Sequence, residues 1–245
     1  MKTSKKLDRP LYDVVRSGIL DKLRSGEWSP GTRIPTEGQL AEQFAVSIGT
    51  VRKAVEDLVA ERVLLRRARI GTTVAVHTDE HVFGTFFNFV TPTGNRVTVT
   101  AELLAFEQVP ADAASAERLG IAEGALLVRI DNLRRYDGAP AMLDRISVPQ
   151  ERFPGLDKAT FLQRKGSIYG LYQERFATTV VLIQEQVMAV SAPDFAAKAL
   201  ELPELAPLLK VQRKAFTFGD EAVEYRERYV NPAICHYQNE VGLRE

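Results

Sequence analysis

Cysteine is nearly absent from this chain of 245 residues, with Cys235 as its one example. A single cysteine excludes a disulfide framework and a cluster of thiolate metal ligands within the chain. Sparse cysteine is typical of proteins of the reducing cytoplasm, where we expect this protein to act. Histidine is also scarce. His77 and His81 fall in a short polar segment and His236 lies far from both, so we expect no metal site.

Long apolar runs are absent as well. No segment approaches the roughly 20 apolar residues that span a membrane, and the N-terminus lacks the apolar core of a signal peptide. The sequence has no P-loop, no dinucleotide-binding fingerprint and no nucleophile-elbow motif. It also has no evident internal repeat and no low-complexity segment. These absences favour a protein without a membrane partner, a cofactor or a common catalytic motif.

Charge is divided unevenly along the chain, although the net charge of the whole is zero. Residues 1–77 contain 14 lysines and arginines against 9 acidic residues, and residues 78–245 contain 18 against 23. The first part therefore carries a charge of +5 and the second a charge of −5. A basic head on an acidic remainder is typical of a nucleic-acid-binding module attached to another domain.

The segment 35–76 has the pattern of two helices joined by a tight turn and followed by a hairpin. Thr36 precedes Gln39 by three positions, which is a capping-box pattern for the first helix. Ser47 can cap the second helix, whose buried side is predicted from apolar residues spaced three and four apart. In a helix-turn-helix, the exposed start of the second helix meets base edges in the major groove. The pattern therefore favours DNA binding, although short amphipathic helix pairs also occur in proteins that bind no DNA.

Residues 10–76 resemble the winged helix-turn-helix head of the GntR family of bacterial transcription regulators. The resemblance is strongest at Pro10-Leu11-Tyr12, Pro30-Gly31, Pro35-Thr36-Glu37 and Thr50-Val51-Arg52-Lys53-Ala54. It implies that the head binds double-stranded operator DNA. The residues that we expect to contact DNA are Thr36, Ser47, Thr50, Arg52, Lys53, Arg66, Arg69, Gly71 and Thr72.

The head departs from the family pattern at three positions. Gly38 and Ile48 stand where the family usually has arginine, and Arg69 stands where it usually has the glycine of the wing tip. In the family the two arginines contact operator bases or backbone, and each bidentate base contact is worth roughly 1–3 kcal/mol. We therefore expect an operator that differs from the family's usual one. Arg69 either adds affinity for phosphates or is an ordinary solvated hairpin charge.

Strand patterns with inserted helices dominate the remainder of the chain. Strands are predicted over 98–109, 126–136, 142–148, 178–190, 208–218 and 221–230, and helices over 111–119, 167–176 and 193–200. This order predicts an α+β domain built on an antiparallel sheet. We place the DNA-binding head at residues 9–76, a linker at residues 77–83 and the second domain at residues 84–243.

Residues 83–243 resemble the UTRA effector-binding domain, which accompanies the GntR head in the HutC subfamily. The matching stretches are VPADAASAERLGIAEGALLVRIDNLRRYDGAPAMLDRISVP, FPGL, SIYGLYQERF and PLLKVQRKAFTFGDEAVEYRERYV. The resemblance implies a chorismate-lyase-like fold with a small-molecule pocket between sheet and helices. The residues that it implies for effector binding are Phe87, Asn88, Asn132, Arg134, Asp144, Ser167, Tyr169, Glu224 and Tyr229.

The resemblance also implies an anionic effector, because family ligands include sugar phosphates and products of amino-acid breakdown. Arg134 occupies one arginine position of the family, and Asn132 stands where the family usually has another. We therefore predict an effector that presents a carboxylate, an amide or a hydroxyl to Asn132, and not a doubly charged phosphate. Three plainer interpretations stay open. Glu224 and Tyr229 could be solvated strand residues. Arg134 could pair with Asp131 or Glu123 at the surface, and Ser167 could serve only as a helix cap.

The two resemblances together predict a DNA-binding transcription regulator, a repressor whose operator affinity is controlled by a small metabolite. We expect a homodimer, because the half-sites of such operators lie roughly 34–36 Å apart. Two alternatives stay open. One is a metabolite sensor with altered or lost DNA binding, motivated by Gly38, Ile48 and Arg69. The other is a lyase-like enzyme, against which the sequence offers no visible pair of nucleophile and base.

Overall fold

The computed structural model describes residues 10–61, 63–76 and 86–239. The chain divides into two compact units, Met1–Val76 and His77–Glu245. The linker expected at residues 77–83 lies outside the described residues.

The first unit consists of three helices and a two-stranded hairpin. Helix α1 spans Leu11–Arg24, helix α2 spans Glu37–Phe44 and helix α3 spans Ile48–Ala60. Strands β1, Leu64–Arg67, and β2, Gly71–Val74, pair antiparallel. This is the predicted winged helix-turn-helix, and the predicted fold class is confirmed for this unit.

The predicted caps start both helices of the helix-turn-helix. The Thr36 hydroxyl accepts a hydrogen bond from the Gln39 N–H, and the Gln39 side chain accepts one from the Thr36 N–H, which completes the capping box. Ser47 Oγ accepts a hydrogen bond from the Thr50 N–H at 3.1 Å. These bonds satisfy backbone donors that a helix start leaves unpaired, and they fix the position where α3 begins.

The apolar sides of α1 and α3 form the core of the first unit. Leu11, Val15, Ile19 and Leu23 lie four apart, which predicts the buried side of α1, and the structure buries all of them except Leu11. The buried residues of α3 are Val51, Ala54, Val55 and Leu58. Val59, which the spacing also assigns to the buried side, is half-buried.

The second unit is built on a six-stranded antiparallel sheet with the strand order β4-β5-β6-β9-β8-β7. Its strands are β4 Thr100–Pro110, β5 Leu126–Tyr136, β6 Ala139–Pro149, β7 Leu182–Ser191, β8 Pro207–Thr217 and β9 Glu221–Val230. A separate short pair joins β3, Phe89–Val90, to β10, His236–Tyr237. The antiparallel sheet confirms the predicted α+β class.

Helices cover both faces of the sheet. They are α4 Ala113–Leu119, α5 Lys158–Leu162, α6 Ile168–Phe176 and α7 Asp194–Ala199. Helices α5 and α6 pack on one face, where Phe161 and Tyr172 share a core with Val128 and Ile146. Helices α4 and α7 pack on the opposite face. Helix α5 is not predicted by the sequence patterns, and the strand expected from residue 178 begins at Leu182.

Two consecutive β-α-β-β units build the sheet. The first is β4-α4-β5-β6, the second is β7-α7-β8-β9, and β6 pairs with β9 where they meet. Backbone hydrogen bonds recur between them: Ala111 N–H donates to the Ala125 carbonyl, and Ala192 N–H donates to the Ala206 carbonyl, both at 2.8 Å. The structure therefore repeats an arrangement of elements that is not evident as a repeat in the sequence.

Left-handed backbone recurs at the same places in both β-α-β-β units. Gly120 and Gly124 have φ of 66° and 80° in the first, and Glu201 and Leu205 have φ of 55° and 58° in the second. A side chain in this region is uncommon, because its Cβ crowds the following carbonyl oxygen. The second β-α-β-β unit keeps the same backbone path without glycines at these two positions, and for this reason the residue types do not reveal the repeat.

No helix in the described ranges combines the length and apolar content that crossing a membrane requires.

Candidate functional site

The start of helix α3 presents two hydroxyls that bond to each other and one aliphatic side chain. Ser47 Oγ and Thr50 Oγ1 lie 2.9 Å apart, so two hydroxyls that we expect to contact DNA are hydrogen-bonded to each other in the free protein. Gly49 contributes no side chain. Ile48 is 50% exposed. Only one of the two hydroxyls donates this bond, so the other keeps its O–H for a contact to DNA.

Glu37, the first residue of α2, connects the recognition helix to the wing. Its carboxylate accepts a hydrogen bond from Arg52 Nε at 2.9 Å and another from Arg66 Nη2 at 3.0 Å. Arg66 also lies 3.6 Å from Glu56. The bond to Glu37 raises the pKa of Arg52. We call Glu37, Arg52 and Arg66 the Glu37 cluster. Its two arginines are among the residues that the sequence predicts to contact DNA, and its carboxylate is not.

The remaining head residues divide between exposed charge and structural roles. Lys53 is exposed, and its Nζ lies 5.5 Å from the centroid of the Tyr12 ring on α1. Arg69 is exposed at the wing tip with φ of 65°, a conformation that favours the glycine of the family pattern. The Thr72 carbonyl accepts a hydrogen bond from the Ile34 N–H at 3.0 Å. A Cβ at Gly71 would lie 3.1 Å from Arg33 Nε, and its φ is 101°.

A cavity of about 170 Å³ lies in the second unit, between the sheet and the start of α6. The described residues that line it are Phe86, Phe87, Val99, Ala101, Arg134, Arg164, Gly166, Ser167, Ile168, Tyr169, Arg213, Arg226 and Arg228. Five of them are arginines and none is acidic. The carboxylates that bind four of these arginines are Asp144, Glu185 and Glu224, and none of the three lines the cavity.

Asp144 on β6 is fully buried and binds arginines from two other strands. It accepts hydrogen bonds from Arg134 Nε at 2.6 Å and from Arg228 Nη2 at 3.0 Å, and Arg226 Nη1 lies 3.6 Å away. Burial alone would raise the pKa of Asp144, but the charges of Arg228, Arg134 and Arg226 outweigh it and hold this pKa far below its usual value. Burial lowers the pKa of Arg228 to about 10, against the opposing effect of Asp144. We call these four residues the Asp144 cluster.

Glu224 on β9 binds three further side chains, two of which line the cavity. Its carboxylate accepts hydrogen bonds from the Tyr172 hydroxyl at 2.7 Å, from the Tyr169 hydroxyl at 3.2 Å and from Arg226 Nε at 2.9 Å. Glu224 is fully buried. Burial raises the pKa of Tyr169, and the charge of Glu224 raises it further. Tyr169 and Arg226 are therefore held rigidly, with one side of each facing the cavity.

The two other cavity arginines are held differently. Arg213 Nε donates to Glu185 at 2.8 Å, and its guanidinium also donates to the Phe86 carbonyl. Arg164 Nη1 donates to the Phe161 carbonyl at 2.6 Å, and its guanidinium lies 4.0 Å from the centroid of the Phe161 ring. Burial lowers the pKa of Arg164, and the neighbouring charges of Arg134 and Arg226 lower it further. Arg164 is thus a cation beside other cations.

Four of the nine residues proposed for effector binding line the cavity: Phe87, Arg134, Ser167 and Tyr169. Ser167 also caps α6, since its Oγ accepts a hydrogen bond from the Gly170 N–H at 3.0 Å. Asp144 and Glu224 lie behind the wall and orient its arginines and Tyr169. They are therefore positioned to hold the groups that would contact an effector, and not to contact it themselves.

The structure does not bring the other three proposed residues into the cavity wall. Tyr229 lies on the opposite face of the sheet, because it is one residue away from Arg228 on a strand; its ring packs 5.3 Å from that of Phe195. Asn132 is 1% exposed, and its amide has no hydrogen-bond partner in the described part of the chain. The Asn88 carbonyl accepts a hydrogen bond from the Gln238 N–H. The role of Asn132 in the choice of effector therefore stays a prediction.

Four cavity arginines were missed by sequence reasoning: Arg164, Arg213, Arg226 and Arg228. A signal for two of them was available. Glu224, Arg226 and Arg228 alternate along one strand, and alternate residues of a strand share a face. An effector role for Glu224 therefore implied the same face for both arginines.

Comparisons with known proteins agree with both units. Residues 11–74 match the family described as "Bacterial regulatory proteins, gntR family", and residues 95–233 match the UTRA domain. The Escherichia coli (strain K12) protein named "Probable fructoselysine utilization operon transcriptional repressor" is 31% identical over 219 residues, which are 89% of each chain. The repressor PhnF of Mycolicibacterium smegmatis is 28% identical over 241 residues, which are 93% of each chain. The histidine utilization repressor of Klebsiella aerogenes is 41% identical over 66 residues, 27% of each chain.

Solved structures show the same fold. The ligand-binding domain of a GntR-family transcriptional regulator from Bordetella bronchiseptica matches with a TM-score of 0.61 and 25% identity, over 63% of this chain and 96% of that one. PhnF from Mycobacterium smegmatis matches with a TM-score of 0.52 and 23% identity, over 89% and 95%. These relatives are transcription regulators and not enzymes, as the sequence predicts. The chain belongs to the GntR family of bacterial transcription regulators, with a DNA-binding winged helix-turn-helix head and a UTRA effector-binding domain.

Proposed function

We propose that the protein is a homodimeric repressor that leaves its operator when a small anionic metabolite binds in the cavity of the second unit. The observation that carries the effector class is the charge around the cavity. Five arginines line it, and three carboxylates bind them in the described part of the chain: Asp144, Glu185 and Glu224. Two positive charges are therefore in excess.

Excess charge at a buried site is costly unless a partner of opposite sign is present. An anion with one or two negative charges would supply that partner, whereas a neutral ligand would not. The start of α6, where Ser167 lies, adds backbone N–H groups that favour negative charge. The excess positive charge and the helix start support an anionic effector in general. Phosphates are included, although Asn132 in place of the family's arginine disfavours them.

Arg134 is the cavity arginine that we propose as the principal effector contact. Among the four cavity arginines that bind a carboxylate, Arg134 has the most exposed side chain, at 11% against 5% for Arg213, 5% for Arg226 and 3% for Arg228. An arriving anion would share Arg134 with Asp144. An effector that binds one arrangement of the dimer more tightly than the other shifts the protein toward that arrangement, and operator affinity changes with it.

The effector class is tested by the thermal stability of the full chain with three matched compounds: glucose, gluconate and glucose 6-phosphate. We expect one or both anions to raise Tm and glucose to leave it unchanged. An anion at 100 times its Kd should add about 2.7 kcal/mol of stability. Arg134→Gln should abolish the shift. Arg129→Gln, in an exposed pair with Glu107 away from the cavity, is the matched control and should keep it. Equal stabilisation by glucose would contradict the proposal.

The dimer is proposed because two heads are needed to bind two half-sites about one turn of DNA apart. Analytical ultracentrifugation should give twice the chain mass of 27.3 kDa for the free protein, and twice the chain mass plus the mass of the duplex for the complex with a selected operator. A single chain bound to an operator would contradict this part. Because bacterial operator DNA lies in the cytoplasm, we propose that the protein acts there.

A further inference from the structure

Ile48 is an unusual residue for its position. It is the first residue of the recognition helix α3, and 50% of its surface is exposed in the first unit. The start of this helix is the part of a helix-turn-helix that meets base edges in the major groove. A single exposed aliphatic residue is ordinary elsewhere on a protein surface, but at this position it lies on the surface that DNA covers.

The polar groups around Ile48 bond to one another or to Glu37. Ser47 and Thr50 hydrogen-bond each other at 2.9 Å, and Ser47 also caps the helix. Gly49 has no side chain. Arg52, one helical turn further along, donates its Nε to Glu37. Ile48 is thus the one large exposed side chain of this first turn, and it is apolar.

An isoleucine side chain can neither donate nor accept a hydrogen bond. Among the groups that base pairs present in the major groove, the C5 methyl of thymine is the apolar one. We infer that Ile48 is a specificity-determining residue that contacts a thymine methyl in each operator half-site. This inference rests on the DNA binding of the head and is independent of the proposed effector.

The position of Arg52 indicates which thymine of the half-site Ile48 contacts. Residues four apart on a helix share a face, so Ile48 and Arg52 point toward neighbouring base pairs. The bond from Arg52 Nε to Glu37 leaves its two terminal nitrogens for a base or a phosphate. The contacted thymine therefore lies beside the position that Arg52 reads.

The test removes only the methyl group. Full-length protein first selects duplexes from a pool of random DNA sequences. The best duplex is then synthesised with deoxyuridine in place of each thymidine in turn, and Kd is measured by fluorescence anisotropy. For the wild type we expect one position in each half-site where the replacement raises Kd about fourfold, which corresponds to one buried methyl group.

Three variants connect the effect to Ile48. Ile48→Ala should bind the thymidine and deoxyuridine duplexes equally. Ile48→Val, which keeps two methyl groups, should retain most of the difference and guards against misfolding as the cause. Val14→Ala changes a residue of α1 that is 41% exposed, and it should behave as the wild type.

Two results would overturn the inference. One is a wild type that tolerates deoxyuridine at every position. The other is an Ile48→Ala variant that keeps the fourfold loss. Selection of no sequence at all by a folded wild type would overturn both the inference and DNA binding by the head, whereas failure of the anion panel would leave the inference intact.

Discussion

Both units of the protein gather arginines around one carboxylate, but the head does so at the surface and the second unit does so in the interior. The Glu37 side chain is 27% exposed and those of Arg52 and Arg66 are 57% and 49% exposed. The Asp144 side chain is fully buried, and that of Arg228 is 3% exposed. Exposed ion pairs are worth about 0–1 kcal/mol, whereas breaking a buried pair costs about 3–5 kcal/mol. Similar contacts therefore leave the head's arginines available to DNA and fix those of the cavity in place.

The largest expected effect comes from Asp144→Asn, which leaves the arginines of the Asp144 cluster without their shared charge. We expect the free energy of unfolding to fall by about 3–5 kcal/mol, measured by urea denaturation of the full chain. Asp131→Asn is the control, since Asp131 pairs with Arg145 at 2.7 Å but is 17% exposed. A loss no larger than that of the control would remove the distinction between the two clusters.

The second effect is that of acid, which should remove the stability that the Asp144 cluster contributes. The pKa of Asp144 is lowered in the folded protein, so its contribution is complete above its unfolded pKa of about 3.9 and is lost as the pH falls below that value. We expect this one group to remove about 1.4 kcal/mol of stability per pH unit below pH 4. Urea midpoints measured at pH 5, 4 and 3 check the slope. Asp144→Asn should lack this component, and an unchanged slope in that variant would assign the acid sensitivity to other groups.

In the Glu37 cluster, Arg52→Ala should lower the affinity for DNA and leave the free energy of unfolding nearly unchanged. We expect a loss of about 1–3 kcal/mol in binding a selected operator, because a bidentate arginine contact has that value, and a much smaller loss on random duplex. Fluorescence anisotropy measures both. Arg24→Ala, in an exposed pair with Asp21 on α1, is the control. Equal losses on operator and random DNA would assign Arg52 to phosphate contact alone.

The smallest effect is expected for Glu37→Gln. Its change in the free energy of unfolding should stay below about 1 kcal/mol, because the pairs of the Glu37 cluster are exposed. Binding to random duplex should tighten, since the variant removes a negative charge beside two arginines that phosphates attract. Glu56→Gln, whose carboxylate lies 3.6 Å from Arg66, should tighten it less. Destabilisation as large as that of Asp144→Asn would show that burial does not separate the clusters.

The fold of the head followed from local signals. Thr36 and Ser47 cap the helices that they were expected to cap, and apolar spacing identified the buried side of α3. Such signals act over three or four residues and are complete in the sequence. The strands of the second unit were also located by pattern, from 126–136 to 221–230. The ion pair between Arg52 and Glu37 was not, because it joins residues on different helices.

The cavity was predicted less completely, because its wall depends on which face of each strand is turned inward. Arg134, Ser167 and Tyr169 were placed there by resemblance, and Arg226 and Arg228 were missed. Tyr229 was assigned to the wrong face. A side-chain period of two residues makes neighbours on a strand point in opposite directions, so an error of one position reverses the assignment. Charged residues on a buried face also contradict the usual pattern, and their partners become visible only in three dimensions.

The meeting of β6 with β9 has a consequence for how the second unit folds. Each β-α-β-β unit consists of elements close in sequence, and such local structure forms quickly. The β6–β9 ladder joins distant segments, so we expect it to form late, as the docking of two halves. Asp144 lies opposite Arg228 in this ladder, and a slip of one residue would turn the carboxylate to the other face. The ion pair thus gives the docking step a single correct alignment, and misaligned halves are left with an unpaired charge.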